Sequence, residues 1–564
     1  MISNPKTPGT HSYSWVQSTE RIIISIFLLL LLIVVVGNTL DIVDESNFHE
    51  ELRILYHLDP ARTNAKDYAG QFLGQFPQPY LYAFATEAAL AAGTDLITFH
   101  KLLGVVCGFV ALVGAALSGL RAGGIMVGLA VALLVAAQPI YHYQISSATP
   151  HAFAFPLLTW GLVCLLYERP YMLASLTVLS GLLYPPMSPL LGLMLAWYLL
   201  VSRKALSGKN RKRVVDILVL GITAAITVAL LWRQLMPIDG YGATLAPGDK
   251  IDIYPENGPD GRHFYGVFHP VSYVFASAIG QFRNSLPITL VINISFCIAA
   301  VAGLGLYYLR TRTALFRALL AFIIPSVMFC ILVTVFRPYM AYRFWLYPLF
   351  ALYPLLFIYG LFTLCYDHRS TLRYPATAVV AVIVPLILAL HATDRHRSFS
   401  SLRLNEDTHA LMDHVRQLPA DTLIAAWPSD EETDLIPYVA GRPLLVNYKA
   451  HYPTYEGHIA NMRKRTFDLI DAYLAKDVQP LIKLKCRWQT DFLIIDQARF
   501  SEDGETLEYF APFDKHIEGI LKSIDKTEMI LARPPANAVV FRSGRFTVLD
   551  LAALSRGTAC PAGQ

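Results

Sequence analysis

Long apolar runs dominate the chain, and most approach the length an α-helix needs to cross the hydrocarbon core of a bilayer. They fall at approximately 21–40, 99–120, 124–142, 153–167, 172–184, 188–202, 214–232, 286–308, 315–336, 345–365 and 375–392. The 564 residues are 54% hydrophobic and only 16% charged, with a mean hydropathy of +0.44, which is too apolar and too blocky for a soluble enzyme of this size. The expected fold is therefore an α-helical polytopic membrane protein of about eleven transmembrane helices, with the lipid bilayer as its environment. A net charge of +4 speaks to orientation in that bilayer and gives no case for a nucleic-acid partner.

Basic residues gather in alternate loops. Arg121, Glu168-Arg169, the run from Arg203 to Arg213, Arg310-Thr311-Arg312 and His368-Arg369 with Arg373 all fall on one side if the amino terminus is cytoplasmic. Residues 1–20 then form a cytoplasmic tail and 21–392 the transmembrane domain, with large outer loops at 41–98 and 233–285. The first run lacks a small-residue cleavage site after a short apolar core and reads as a retained anchor. Spans five and six are short and flank Tyr184-Pro185-Pro186-Met187-Ser188-Pro189, so the count is loosest there.

Residues 393–564 change character and predict an extracytoplasmic α/β domain. Asp407–Leu418 and Glu456–Lys476 read as amphipathic helices, Thr422–Ala426, Leu444–Asn447 and Asp491–Asp496 as strands, and Ala538–Leu551 as a hairpin turning at Ser543-Gly544. Cys107, Cys164, Cys297, Cys330 and Cys365 lie in apolar runs and read as small buried hydrophobes. Cys486 and Cys560 lie in the polar region; an oxidising exterior would permit one disulfide, and spacing alone leaves the pairing open. No P-loop or dinucleotide-type phosphate loop is present, so no cofactor is expected.

Candidate chemistry begins where the first run ends. Asp41, Asp44, Glu45 and His49 sit within one short stretch, and a helical 41–49 would put Asp41, Glu45 and His49 on one face with Asp44 beside them. Partial desolvation at the interface can raise a carboxylate toward the range useful to a general base; the plainer alternative is an acidic helix-end cap. Further along the same loop, Phe76-Pro77-Gln78-Pro79-Tyr80-Leu81-Tyr82 opens an apolar stretch too short to span, which would lie along the outer interface and wall a groove or simply pack. Arg337 and Arg343 flank Pro338-Tyr339-Met340-Ala341-Tyr342, where guanidinium groups could grip phosphate oxygens or merely snorkel.

An Asp-x-x-Asp-Glu motif ending the first span, a large first outer loop with a Pro-x-Pro-Tyr-x-Tyr element, many further spans and an external α/β domain together resemble the GT-C superfamily of membrane glycosyltransferases. That resemblance implies a polyprenyl-phosphate-linked sugar as donor, a first-loop acid as base or acceptor-orienting group, and an arginine holding the lipid phosphate. Mapped onto this sequence, the acid is Asp44 or Asp41 with Glu45 as neighbour, and the arginine is Arg343 or Arg337. Metal-dependent members supply a second carboxylate in the second outer loop, whereas His142–His151 contains no acid. No metal site is therefore expected, although Asp41, Asp44 and Glu45 alone leave a weak one open.

His142 and His151 are candidates for contacting sugar or pyrophosphate, or for structural hydrogen bonding. His263 lies in the 233–285 loop, whose glycine and aromatic content suits a segment that orders over substrate, and Tyr80 and Tyr342 complete the possible contacts. The expected activity is sugar transfer to an acceptor hydroxyl of a glycan, protein or lipid, in cell-envelope glycan biosynthesis at a bacterial plasma membrane. The alternatives are a secondary transporter, which would want charge deep in the bundle, or a non-catalytic scaffold.

Overall fold

The computed structural model describes residues 52–58, 66–136, 138, 141, 145, 149–202, 210–246, 248–258, 260–262, 301–307, 309–310, 312–336, 342–365, 405–430, 432–501, 507–555 and 560. Helices fall on every expected span that is described in full, from Leu96–Gly123 to Tyr342–Cys365. The runs at 21–40 and 375–392 lie outside the described residues. Among the described residues three helices, Leu96–Gly123, Arg213–Gln234 and Thr313–Val333, are long and apolar enough to cross a membrane, and five shorter apolar helices accompany them. At this level the chain is a multi-pass membrane protein.

Local chemistry sets these helices. Asp95 caps Leu96–Gly123 by accepting from the Thr98 N–H at 2.9 Å, and Gly124, at φ +88°, reverses the chain into Ile125–Ala136. The two helices cross closely: a Cβ on Gly119 would lie 2.7 Å from the Gly128 Cα, so side chains there would force them apart. Ala154–Leu166 is buried on nearly every side and packs against Leu96–Gly123, Pro170–Leu183, Thr313–Phe336 and Tyr342–Cys365, which makes it the centre of the bundle. Around the Pro-Pro pair the chain makes a 3₁₀ turn, Pro185–Met187, between Pro170–Leu183 and Ser188–Trp197.

The described C-terminal residues build a four-stranded sheet in the order β1-β2-β4-β3, from Ile424–Ala425, Phe492–Asp496, Phe546–Asp550 and Val539–Ser543. β1 runs parallel to β2; the other pairs are antiparallel. Strand alternation feeds two cores. Leu423, Ala425, Trp427, Leu493 and Ile495 face one side with Met462, Leu469, Tyr473, Leu481 and Phe513, while Ile424, Ala426, Ile494 and Val548 face the other with Leu411, Met412 and Val415.

Three local expectations shift. The long helix ends at Tyr473 rather than Lys476. Leu444–Asn447 forms only a bridge beside β1, with the Leu445 N–H donating to the Ile424 carbonyl at 2.8 Å. The hairpin loop is Gly544-Arg545 rather than Ser543-Gly544, because Ser543 already pairs with Phe546 and the positive φ of +50° falls on Gly544. Cys486 and Cys560 form a disulfide.

The described segments 52–58 and 66–76 pack onto this layer. Leu55, Tyr56, Ala69, Phe72 and Leu73 share a core with Ile238, Tyr241, Tyr438, Ala450 and Tyr455. Phe72 and His458 stack with ring centroids 3.5 Å apart. The helix Tyr80–Ala91 then packs against Leu96–Gly123 and Pro170–Leu183 while Tyr80 and Phe84 remain exposed, Phe84 at 64%.

Candidate functional site

Most sequence-predicted site residues, namely Asp41, Asp44, Glu45, His49, His142, His263 and Arg337, lie outside the described residues. Arg343 and Tyr342 open the helix Tyr342–Cys365, and only their backbone is described. Two predicted contacts are described in full. Tyr80 carries the guanidinium of Arg233 5.1 Å from its ring centroid, which ties the outer-loop helix to the end of Asn210–Leu235. His151 is half-buried, with Nδ1 2.6 Å from the Thr149 hydroxyl and its ring edge-on to Tyr184.

The bundle immediately beyond Arg343 is dense. The Cys330 thiol donates to the Phe344 carbonyl at 3.2 Å, Phe329 meets Phe344 edge-on, and Tyr347 lies against Phe155. Gln138 donates through Nε2 to the Phe350 carbonyl at 3.1 Å, which pins the outer end of one helix to the middle of another. His100 links bundle to C-terminal layer: Nε2 lies 3.0 Å from the Tyr82 hydroxyl and Nδ1 3.1 Å from the Tyr438 hydroxyl. One ring nitrogen donates and the other accepts, so both hydroxyls are held by a single neutral imidazole.

A second concentration of charge lies at the seam between the segment 66–76 and the C-terminal layer. Asp67 caps the helix Tyr68–Gly74 by accepting from the Gly70 N–H at 2.8 Å, and burial pushes its carboxyl up to about 6 against the pull of Gly70, Tyr56 and Arg465. Arg465, on the helix Glu456–Tyr473, has its guanidinium 5.0 Å from the Tyr68 ring centroid and 4.6 Å from that of Trp488. Burial lowers it to about 10. Its Nε donates to the Asn461 side-chain carbonyl at 2.9 Å, while its buried Nη1 has no hydrogen-bond partner among the described residues. Lys66 meets Asp491 at 2.9 Å, and Lys483 and Arg487 both reach Asp468.

The segment 241–262 is strapped onto the same layer. Arg463 grips buried Glu256, with Nε at 2.6 Å from Oε1 and Nη2 on Oε2. Lys250 pairs with Glu456, and Arg262 donates to the Tyr448 carbonyl at 2.8 Å while lying over the Tyr448 ring. Tyr448 N–H in turn donates to Asp434 at 3.2 Å; burial pushes that carboxyl up to about 8. No group of three or more His, Cys, Asp or Glu side chains suited to a metal ion occurs among the described residues.

Sequence reasoning overlooked Arg465, His100 and Asp67. A signal for Arg465 existed: Met462, Arg465, Thr466 and Leu469 share the buried face of one helix at the three- and four-residue spacing, with an arginine in an apolar slot. Nothing local marks His100, whose partners lie in other elements, and Asp67 is marked only as the N-cap of the helix it precedes.

Neither a protein-family model nor a curated protein sequence matches the chain. Among solved structures, the chain is similar to ArnT from Cupriavidus metallidurans bound to undecaprenyl phosphate, with a TM-score of 0.51 at 12% identity over 93% of this chain and 98% of that one. The apo state of the same protein gives 0.50 at 13% identity over 95% and 99%. Archaeal oligosaccharyltransferase AglB from Archaeoglobus fulgidus gives 0.45 at 11% identity over 84% and 69%. The chain thus shares the fold of ArnT over nearly its whole length.

Proposed function

We propose that the chain is an integral membrane glycosyltransferase that moves a sugar from a polyprenyl-phosphate carrier to an acceptor hydroxyl at the extracytoplasmic face. The carrying observation is the likeness in fold to ArnT across 93% of this chain and 98% of that one, in a structure where ArnT holds undecaprenyl phosphate. The acid cluster at the end of the first apolar run and the Arg337/Arg343 pair supply the groups such a reaction needs. Residues 1–20 form the cytoplasmic tail, about eleven helices across 21–392 form the membrane domain, and 393–564 stand outside. The Cys486–Cys560 disulfide supports that orientation, since disulfides persist in oxidising compartments.

In this reading Arg343 and Arg337 hold the lipid phosphate, and Asp44, helped by Asp41 or Glu45, takes the acceptor hydroxyl proton. The acceptor oxygen bonds to the anomeric carbon as the bond to phosphate breaks, through an oxocarbenium-like state whose departing charge falls to the guanidinium groups. The acid-free second outer loop argues for transfer without a divalent metal. Asp44→Asn is expected to reduce transfer by at least 100-fold in reconstituted vesicles containing EDTA, where wild type stays active. Retained activity in the variant would remove Asp44 from the mechanism, and loss of wild-type activity in EDTA would restore a metal.

A further inference from the structure

Arg465 is held differently from Arg463 and Arg545, and, unlike buried Arg262, it donates to no main-chain carbonyl among the described residues. Two residues earlier on the same helix Arg463 is paired with Glu256, and Arg545 reaches both Glu432 and Asp496. Arg465 is 8% exposed, yet among the described residues it meets no carboxylate within ion-pair distance, and Asn461 alone accepts from its guanidinium. The Asp67 carboxyl acts on it only from beyond ion-pair distance, and a buried charge in this condition costs on the order of several kcal/mol through desolvation, so the guanidinium is a place where a closer counter-ion is wanted.

Its surroundings favour an anion. Tyr68 and Trp488 hold the guanidinium plane between ring faces, so the fork is already oriented. Arg487 lies over the same Trp488 ring at 5.2 Å with its own charge matched by Asp468, and Lys464 is exposed one residue away along the helix. We propose that Arg465 is the centre of a binding site for an oxyanion, a phosphate or carboxylate carried by the acceptor, at the seam between the first outer loop and the C-terminal layer. A tetrahedral or planar oxyanion accepts from two guanidinium nitrogens at once, which neither water nor the Asn461 amide does. The word acceptor rests on the transferase reading; the binding does not.

The test uses the full chain in nanodiscs of neutral phosphatidylcholine, titrated with glucose 6-phosphate and with glucose. Saturable binding of the phosphosugar, on the order of tenfold or more tighter than glucose, is expected for wild type. Arg465→Gln should weaken it on the order of 10- to 100-fold, while Lys464→Gln, which removes a neighbouring charge only, should change it by about threefold at most. Asn461→Asp keeps the shape but gives Nε a carboxylate; it should also abolish the preference for phosphosugar while raising the melting temperature, which keeps the proposal testable if Arg465→Gln fails to fold.

No saturable binding by wild type, unchanged affinity in Arg465→Gln, or an equal loss in Lys464→Gln would overturn the site. Loss of binding in discs of anionic lipid would assign the pocket of charge to a lipid headgroup and overturn the acceptor assignment. Asp44→Asn protein should bind the phosphosugar as wild type does, so a failed transferase mechanism and a failed binding site give different results.

Discussion

Asp434 is 4% exposed, and its carboxyl is pushed from 3.8 up to about 8 by burial, which outweighs the Tyr448 N–H and the nearby Lys449 and Arg262. The native chain therefore holds a proton there that the unfolded chain releases, and the stability this proton brings is complete below pH 3.8 and lost as pH climbs through about 8. Asp434→Asn keeps the oxygen that accepts from Tyr448 and cannot ionise. Its melting temperature relative to wild type is expected to rise from pH 5 to about 8 and level off above it, measured on detergent-purified protein; a parallel pair of curves would mean that the native Asp434 carboxyl is already ionised at pH 5. His458 shows the opposite case, held neutral at about 4 by burial although it sits in a helix whose sequence looks open and polar. Such charge states were not legible in the sequence, because a residue's letter does not say what surrounds it.

Elements were easier to read than their contacts. β2 was legible in Asp491-Phe492-Leu493-Ile494-Ile495-Asp496 because a strand buried on both faces is a short apolar run, and the hairpin followed from a glycine between two such runs. The bridge at Leu444 was misread as a strand since Leu444, Leu445 and Val446 are buried as strand residues are, while a single pairing with β1 forms. Among its described residues the 241–262 segment has only the Pro255–Asn257 turn and a bridge from Thr244 to Tyr455, and its far end is held by the Glu256–Arg463 pair, in which Glu256 is fully buried. Arg463→Ala leaves that carboxylate without its partner and should destabilise the strap by about 3 kcal/mol. The expected readout is faster proteolysis between residues 246 and 262 with the rest of the chain intact; unchanged cleavage would show that Lys250 and Arg262 suffice.

At the scale of the molecule, the reading fixes a side of the membrane for each part. Lys522, whose side chain is 72% exposed on the C-terminal layer, is expected as Cys to react with an impermeant maleimide in intact cells, whereas Lys209→Cys in the basic loop reacts only after permeabilisation. The reverse pattern would invert the topology and take the acids of the first loop away from the exterior.

What depends on pattern was legible in the amino-acid sequence alone: apolar runs approaching bilayer length, the charge of the loops between them, short apolar strands in the last third, and a resemblance in layout to a known membrane fold. Those are properties of consecutive residues in a given solvent. The tertiary structure alone decided that Cys486 meets Cys560, that His100 bridges Tyr82 and Tyr438, and that Arg463 is paired while Arg465 two residues on is not. Pairing energies fall off within a few ångströms, and residues hundreds of positions apart are brought that close only by the folded chain.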